Sequence, residues 1–389
     1  MAGPAVLSAP PELLRRPRSA LTWVTMAVLG VGALVIAAVV LLSNGPVVAL
    51  VITLLAALSF PLLIAVCFWL YRYEPEPGRY RLAALGWGGV VAVGISLVAE
   101  QLLFGISGVP ERVDLAVTAP IVEETGKGLF LVAIVLLRRS QLNGVLDGIV
   151  YAALVGIGFA FVEDIVYYLS SLSSGSLPTV FFLRGIVGPF AHPLFTAATG
   201  IGFGVAVTTR RPALRVVAPI AGYVLAVLLH GTWNYATTWG EQFFVAYVVI
   251  MLPLLAVVVA VAVWARSREG RMLDTALGQV AARGWVRPEE IRWVARLGDR
   301  MSARVYAKRF GGRPAAATLR AYQQTLTEIA FLHQRAVLGT APPDLNPRMT
   351  ALLQRSTALR TYAIIPPPPR PAMGPGLRPT PPPPGAYPR

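Results

Sequence analysis

Three residue types that usually carry chemistry are scarce in this chain. Its 389 residues include one cysteine, Cys67, two lysines, Lys127 and Lys308, and three histidines. A lone cysteine excludes an internal disulfide framework and a multi-cysteine metal site, so Cys67 reads as core or lipid-facing filler. No H-E-x-x-H occurs, which excludes the zincin arrangement. Neither a G-x-S-x-G elbow nor a Cys-His pair offers a strong nucleophile. Charge is scarce too: only 14% of residues are charged, against 55% hydrophobic and a mean hydropathy of +0.62, too apolar for an ordinary soluble domain. The composition implies an all-α, polytopic membrane protein.

Apolar runs of about 20 residues predict eight spans, near 21–43, 47–71, 82–107, 114–137, 144–170, 179–207, 216–238 and 242–265. Arginine placement gives the orientation. Arg15, Arg16 and Arg18 precede the first span; Arg72, Arg79 and Arg81 follow the second; Arg138 and Arg139 the fourth; Arg210, Arg211 and Arg215 the sixth; Arg266 and Arg268 the eighth. The remaining loops hold a single arginine, Arg112. Every second loop is basic, so both termini are expected in the cytoplasm. The first apolar run is too long for a cleaved signal peptide and reads as a signal anchor.

Four regions follow: a cytoplasmic segment 1–20, a membrane domain 21–265, a basic helical module 266–340 and a proline-rich disordered tail 341–389. From Arg266 onward there are 20 basic against 7 acidic residues, so the charge excess belongs to this part of the chain. Leu319, Tyr322, Leu326 and Ile329 recur at helical spacing, and Pro288 suits a first helical turn. Such a basic region is expected to adhere to anionic lipid headgroups. Nucleic acid is not expected as a partner, since no recognition motif is present.

Inside the spans, ionisable and strongly polar groups are few: Glu100, Glu123, Glu124, Lys127, Glu163, Asp164, Arg184, His192, His230 and Asn234. Such groups mark an ion path, a proton relay or a catalytic site. Counting along the expected topology places Glu123, Glu163, His192 and His230 at roughly 14, 10, 20 and 12 Å below the outer surface. One broad layer thus collects groups from four spans. Glu123 and Lys127 stand four apart on one helix face, with Glu124 about 100° away, and His230 and Asn234 repeat that spacing. Internal ion pairing and interhelical hydrogen bonding explain each pair singly. Together they suit hydrolysis by a buried carboxylate, or a zinc site of two histidines and a carboxylate with a position open to water. A proton-coupled transporter or channel using the same groups stays open, although no inverted repeat is visible.

The order "EETGK", "FAFVED", "HPLFTAATGIGFG" and "HGTWN" on successive spans, after the loop "RYEPEPGR" from Arg72 to Arg79, resembles the PrsW family of bacterial intramembrane metalloproteases. That family is related to the CAAX prenyl endopeptidase and Abi group. The likeness covers about residues 50–240 and is carried by four loose motifs in order. It implies a multi-pass protein of the bacterial cell membrane that cleaves a single-pass membrane protein such as an anti-sigma factor. Carried over by residue, it implies Glu123 as catalytic carboxylate beside Glu124, with His192 and His230 as the two histidines and Asn234 following the second. Glu163 matches an acidic position held by histidine in the prenyl-cleaving branch. In a metal version Glu163, His192 and His230 hold Zn²⁺ while Glu123 deprotonates water. In a metal-free version Glu123 activates water directly, with His230 and Asn234 at the oxyanion and Lys127 holding negative charge in place.

Overall fold

Once water is removed, an apolar run satisfies its backbone hydrogen bonds only as a helix or in a closed barrel. Every expected span is helical in the computed structural model, which describes residues 9–10, 20–70, 77–107 and 110–367. The arginines at 15, 16 and 18, most of the acidic-proline loop (71–76) and the polyproline end beyond 367 lie outside the described residues. Among those described there is no β-strand.

Seven helices have both the length and the composition to cross a membrane: α1 (Ala20–Asn44), α2 (Pro46–Leu70), α3 (Gly78–Leu102), α5 (Val145–Ser174), α6 (Leu177–Thr208), α7 (Pro212–Trp239) and α8 (Gln242–Ala281). The remaining expected span is α4 (Ala119–Leu137). It fails on composition, because Glu123, Glu124 and Lys127 crowd three charges into five residues. Its helix continues back to Glu111 through a widened π turn at Asp114–Thr118, and it packs on α3, α5 and α7. The charged side of α4 thus faces its neighbours, with Glu123, Glu124 and Lys127 buried, while Ile121, Leu129 and Leu136 face outward.

Helix α5 is the axis. In its most apolar window 83% of residues are buried, against 6% in α1, α7 and α8, so α5 is enclosed while those three present their sides outward. Close approach to α6 is set by glycine. A Cβ on Gly200 would stand 2.2 Å from the Gly148 carbonyl oxygen, so the two backbones touch where any side chain would separate them.

The helix of the last expected span does not end at residue 265. α8 continues to Ala281, and its 40 residues extend about 60 Å, twice the thickness of a hydrocarbon core. Ala262 and Ala265 belong to the core of the bundle, whereas Leu273, Ala276, Leu277 and Val280 belong to a second core. That second core is completed by α9 (Leu297–Val337) and α10 (Leu345–Tyr362). Leu319, Tyr322, Leu326 and Ile329 are all buried in it, as their spacing predicts. α9 bends at Gly312, whose φ of 70° favours glycine, two residues before Pro314.

The tail boundary expected at 341 moves outward. Leu345–Tyr362 is helical, and Leu352 and Leu359 are buried against α9. The prolines near 342 and beyond 365 mask a stretch between them with ordinary helix-forming residues. Glu290 ties the module together: it accepts hydrogen bonds from the Tyr322 hydroxyl and from Arg360 Nε, both at 2.6 Å, joining α9 and α10 to the turn at Pro288–Glu290. Burial and the Glu290 carboxylate raise the Tyr322 phenol well above its ordinary range, so it stays a donor.

Candidate active site

Four helices meet at one buried cluster. Lys127 of α4, fully enclosed, donates to Glu123 Oε2 at 3.1 Å, Glu124 Oε1 at 2.9 Å and His192 Nδ1 at 3.0 Å, with its ammonium 3.7 Å from the centre of the Phe159 ring. Glu124 also accepts from Thr196 of α6 at 3.0 Å and from His230 Nδ1 of α7 at 3.1 Å. The His192 and His230 rings lie 5.0 Å apart and perpendicular, with Phe195 stacked on His230.

Local sequence explains this convergence. Gly188, Pro189 and Phe190 interrupt α6, so Ala191 begins a fresh helical segment with His192 in its first turn. Beneath it, a Cβ on Gly156 of α5 would stand 2.7 Å from the Pro193 nitrogen, and its absence lets that turn rest on α5. Two turns further along α5, Glu163 Oε2 then meets His192 Nε2 at 2.7 Å. On α7, Gly231 makes the same allowance beside His230, its Cβ position lying 2.1 Å from the Ala116 carbonyl oxygen.

These contacts fix the His192 proton. An ammonium only donates, so His192 Nδ1 accepts from Lys127 and Nε2–H donates to Glu163. At His230, Nδ1 faces Glu124 Oε1 at 3.1 Å and Nε2 faces Glu123 Oε2 across 3.7 Å, so the ring bridges the two glutamates. Glu123, His192 and His230 each offer a ligand atom within 4.8 Å of the others. For comparison, neighbouring ligand atoms around a tetrahedral zinc stand about 3.4 Å apart, given bonds near 2.1 Å. Each histidine also has its second nitrogen on a carboxylate, the usual outer-shell partner of a metal-binding imidazole. Two carboxylate or imidazole donors of this set, Glu123 Oε2 and His192 Nδ1, hold the Lys127 ammonium in the structure, and a divalent ion on Glu123, His192 and His230 would take its place there.

Glu163 stands one step outside. Arg184 pairs with it and donates through Nε to Asp164 Oδ1 at 2.6 Å, so these two adjacent acids of α5 share one guanidinium. Arg184 reaches them from a π turn, Phe182–Val187, that widens α6 just before its interruption. Asn234 is not brought to the cluster. Its amide donates to the Leu115 carbonyl at 3.2 Å, tying α7 to the π turn ahead of α4. Sequence reasoning assigned no role to Arg184, Thr196 or Phe159. Arg184 carried a signal, since two acids within the membrane require a partner and it is the guanidinium available. Thr196 had another, lying four residues after His192 on the same helix face.

Comparison with known proteins agrees with this architecture. The sequence profile of the PrsW family intramembrane metalloproteases matches residues 76–260, the stretch from just before α3 into α8. The chain matches the PrsW family over this stretch, just under half of its length. This peptidase is 28% identical over 207 residues to Protease PrsW of Clostridioides difficile (strain 630), covering 49% of this chain and 83% of that protein. It is 26% identical over 224 residues to Protease PrsW of Geobacillus kaustophilus (strain HTA426), covering 57% and 87% respectively. No solved structure matches. The profile includes every member of the buried cluster and stops short of the second core, so α9 and α10 lie outside the matched stretch.

Proposed function

We propose that the cluster is the catalytic centre of this intramembrane protease and that Glu123 is the carboxylate that activates water. The observation that carries the reading is the meeting of Glu123 with His192 and His230, from three helices, in a closed and buried set of lone pairs. Glu124 is committed on both oxygens, to Lys127 and His230 on one and Thr196 on the other. Glu123 keeps Oε1 outside these bonds and is slightly exposed, with 7% of its side chain accessible. As a carboxylate it takes a proton from water as the water oxygen attacks the scissile carbonyl, then returns that proton to the departing amine, so one water is added across the C–N bond. Lys127 balances the two glutamates and holds Glu123 in place. A divalent ion held by Glu123, His192 and His230 would supply Lewis acidity toward the water and the carbonyl. Glu163, set by Arg184, orients the His192 ring, and Glu124 orients His230.

Site depth suits a single-pass membrane substrate cleaved near the outer side of the bilayer, anti-sigma factors being the class suggested by the family likeness. This rests on the arginine-based orientation, with both termini in the cytoplasm of a bacterial cell. Mapping of new protein termini after co-reconstitution with the host's membrane proteins tests the reading. Wild type should generate termini in or beside apolar spans, and Glu123→Gln should lower their yield by about 10²–10⁴-fold, the range for loss of a general base. Identical termini from both proteins would reject the assignment. Elemental analysis of the same preparations addresses the ion: zinc near one per chain, lost in both His192→Ala and His230→Ala, is the expected result, and zinc retained by either variant would remove that histidine from the ligand set.

A further inference from the structure

Where the second core meets the bundle lies a cavity of 740 Å³ that the active site does not use. Five arginines line it: Arg138 and Arg139 after α4, Arg215 at the start of α7, Arg335 in the last turn of α9 and Arg348 in the first turn of α10. No carboxylate is among its lining residues. Asp344 acts on one of them, its charge reaching Arg335.

The cavity is built rather than incidental. Arg139 is clamped through Nη1 to the Leu142 carbonyl and through Nη2 to the Val207 carbonyl, both at 2.8 Å, so its fork is fixed before any ligand arrives. Arg335 is held by the Thr340 carbonyl across the turn that follows α9. Arg210 seals the same seam by donating to the carbonyls of Val337, the last residue of α9, and Leu338, which follows it. Burial and the neighbouring charges of Arg335 and Arg215 together lower the Arg139 guanidinium to about 10. Guanidinium groups gathered around a cavity whose lining holds no carboxylate repel one another, and a planar fork pairs best with a phosphate or carboxylate oxygen pair.

We infer that this arginine-lined cavity binds a phosphate-bearing anion, which neutralises the seam and holds the α9–α10 module against the membrane bundle. The shared chemistry is a phosphate mono- or diester. Its source is either the headgroup of an anionic lipid, since the cavity adjoins the basic ends of the spans, or a soluble phosphorylated molecule. The inference is independent of the protease assignment, because none of the five arginines belongs to the catalytic cluster.

Native mass spectrometry of the full chain in detergent tests it, with dioctanoyl phosphatidylglycerol, dioctanoyl phosphatidylcholine and inorganic pyrophosphate as probes. Wild type should retain phosphatidylglycerol or pyrophosphate but not phosphatidylcholine. Arg215→Gln/Arg348→Gln should bind on the order of tenfold less or weaker, as befits lost charge-assisted hydrogen bonds. Arg309→Gln/Arg313→Gln, which removes the same charge from exposed positions on α9, should bind as wild type does. Retention of the lipid alone identifies a headgroup site, and retention of pyrophosphate alone a soluble ligand. Equal loss in both double variants would reduce the effect to diffuse charge and overturn the inference, as would retention of neither anionic probe by wild type. Thermal unfolding of each variant without probe distinguishes a lost site from a lost fold. If Arg215→Gln/Arg348→Gln is unfolded, Arg348→Gln alone carries the comparison, and binding equal to wild type there overturns the inference.

Discussion

Lys127 sits at the centre of the charge balance, with two glutamates and a histidine lone pair on one ammonium. Removing one partner from a buried pair costs about 3–5 kcal/mol, because the other charge is stranded in a low-dielectric interior. Lys127→Met should therefore lower the thermal unfolding midpoint in detergent more than Glu123→Gln, which leaves Lys127 with Glu124. A midpoint unchanged in Lys127→Met would show that Glu123 and Glu124 do not need the ammonium. Much of this was legible from residue spacing. The i,i+4 relation of Glu123 and Lys127 stands, whereas Glu124, read as pointing about 100° away, shares the same ammonium because a four-carbon stem spans both i−3 and i−4 positions. Depth counting brought Glu163 to the right layer. It could not tell which imidazole nitrogen faces which oxygen. For Asn234, spacing gave the helix face but not the Leu115 carbonyl waiting beside it.

At the scale of helices, the bundle depends on glycine contacts between α5 and α6. A side chain at Gly200 meets the Gly148 carbonyl oxygen, and backbone cannot yield as a flexible side chain can. Gly200→Val should separate the two helices, lowering the yield of folded protein and abolishing cleavage through displacement of His192 and Thr196. Gly278→Val, at an exposed position of α8 where an added Cβ meets nothing within 4 Å, should leave both unchanged. Monodispersity on size exclusion in detergent, read beside cleavage, compares the two, and a well-folded, active Gly200→Val would refute the contact. Helix existence was plain from hydropathy, and α4 could be found despite its charges because apolar runs flank them on both sides. The end of α8 was not plain. Hydropathy falls at Arg266 while helical periodicity continues through Leu273, Ala276, Leu277 and Val280, so a scan tuned to bilayer thickness stops where the lipid does and not where the helix does.

Over the whole molecule, two cores are strung on one helix, and the second depends on α10 for closure. A chain truncated after Leu338 would uncover the faces of α9 and α8 that Leu352 and Leu359 help to cover, and would remove Arg348 from the seam. It should aggregate in detergent, whereas a chain ending at residue 367 should stay monodisperse and active. If both behave alike, α10 is not part of the folded module. The proline-rich composition near the end of the chain hid this dependence, because the short helix lies between two stretches that read as extended.

The continuity of α8 also sets a rotational constraint. Along a helix each residue turns the chain by about 100° and advances it 1.5 Å, so one residue added between Ala265 and Leu273 would swing the whole second module around the bundle by over a quarter-turn. Arg335 and Arg348 would then face away from Arg139 and Arg215, and the seam would open although no contact within either core had changed. Chains carrying such a module are therefore free to vary in its surface but not in the phase of the helix that presents it.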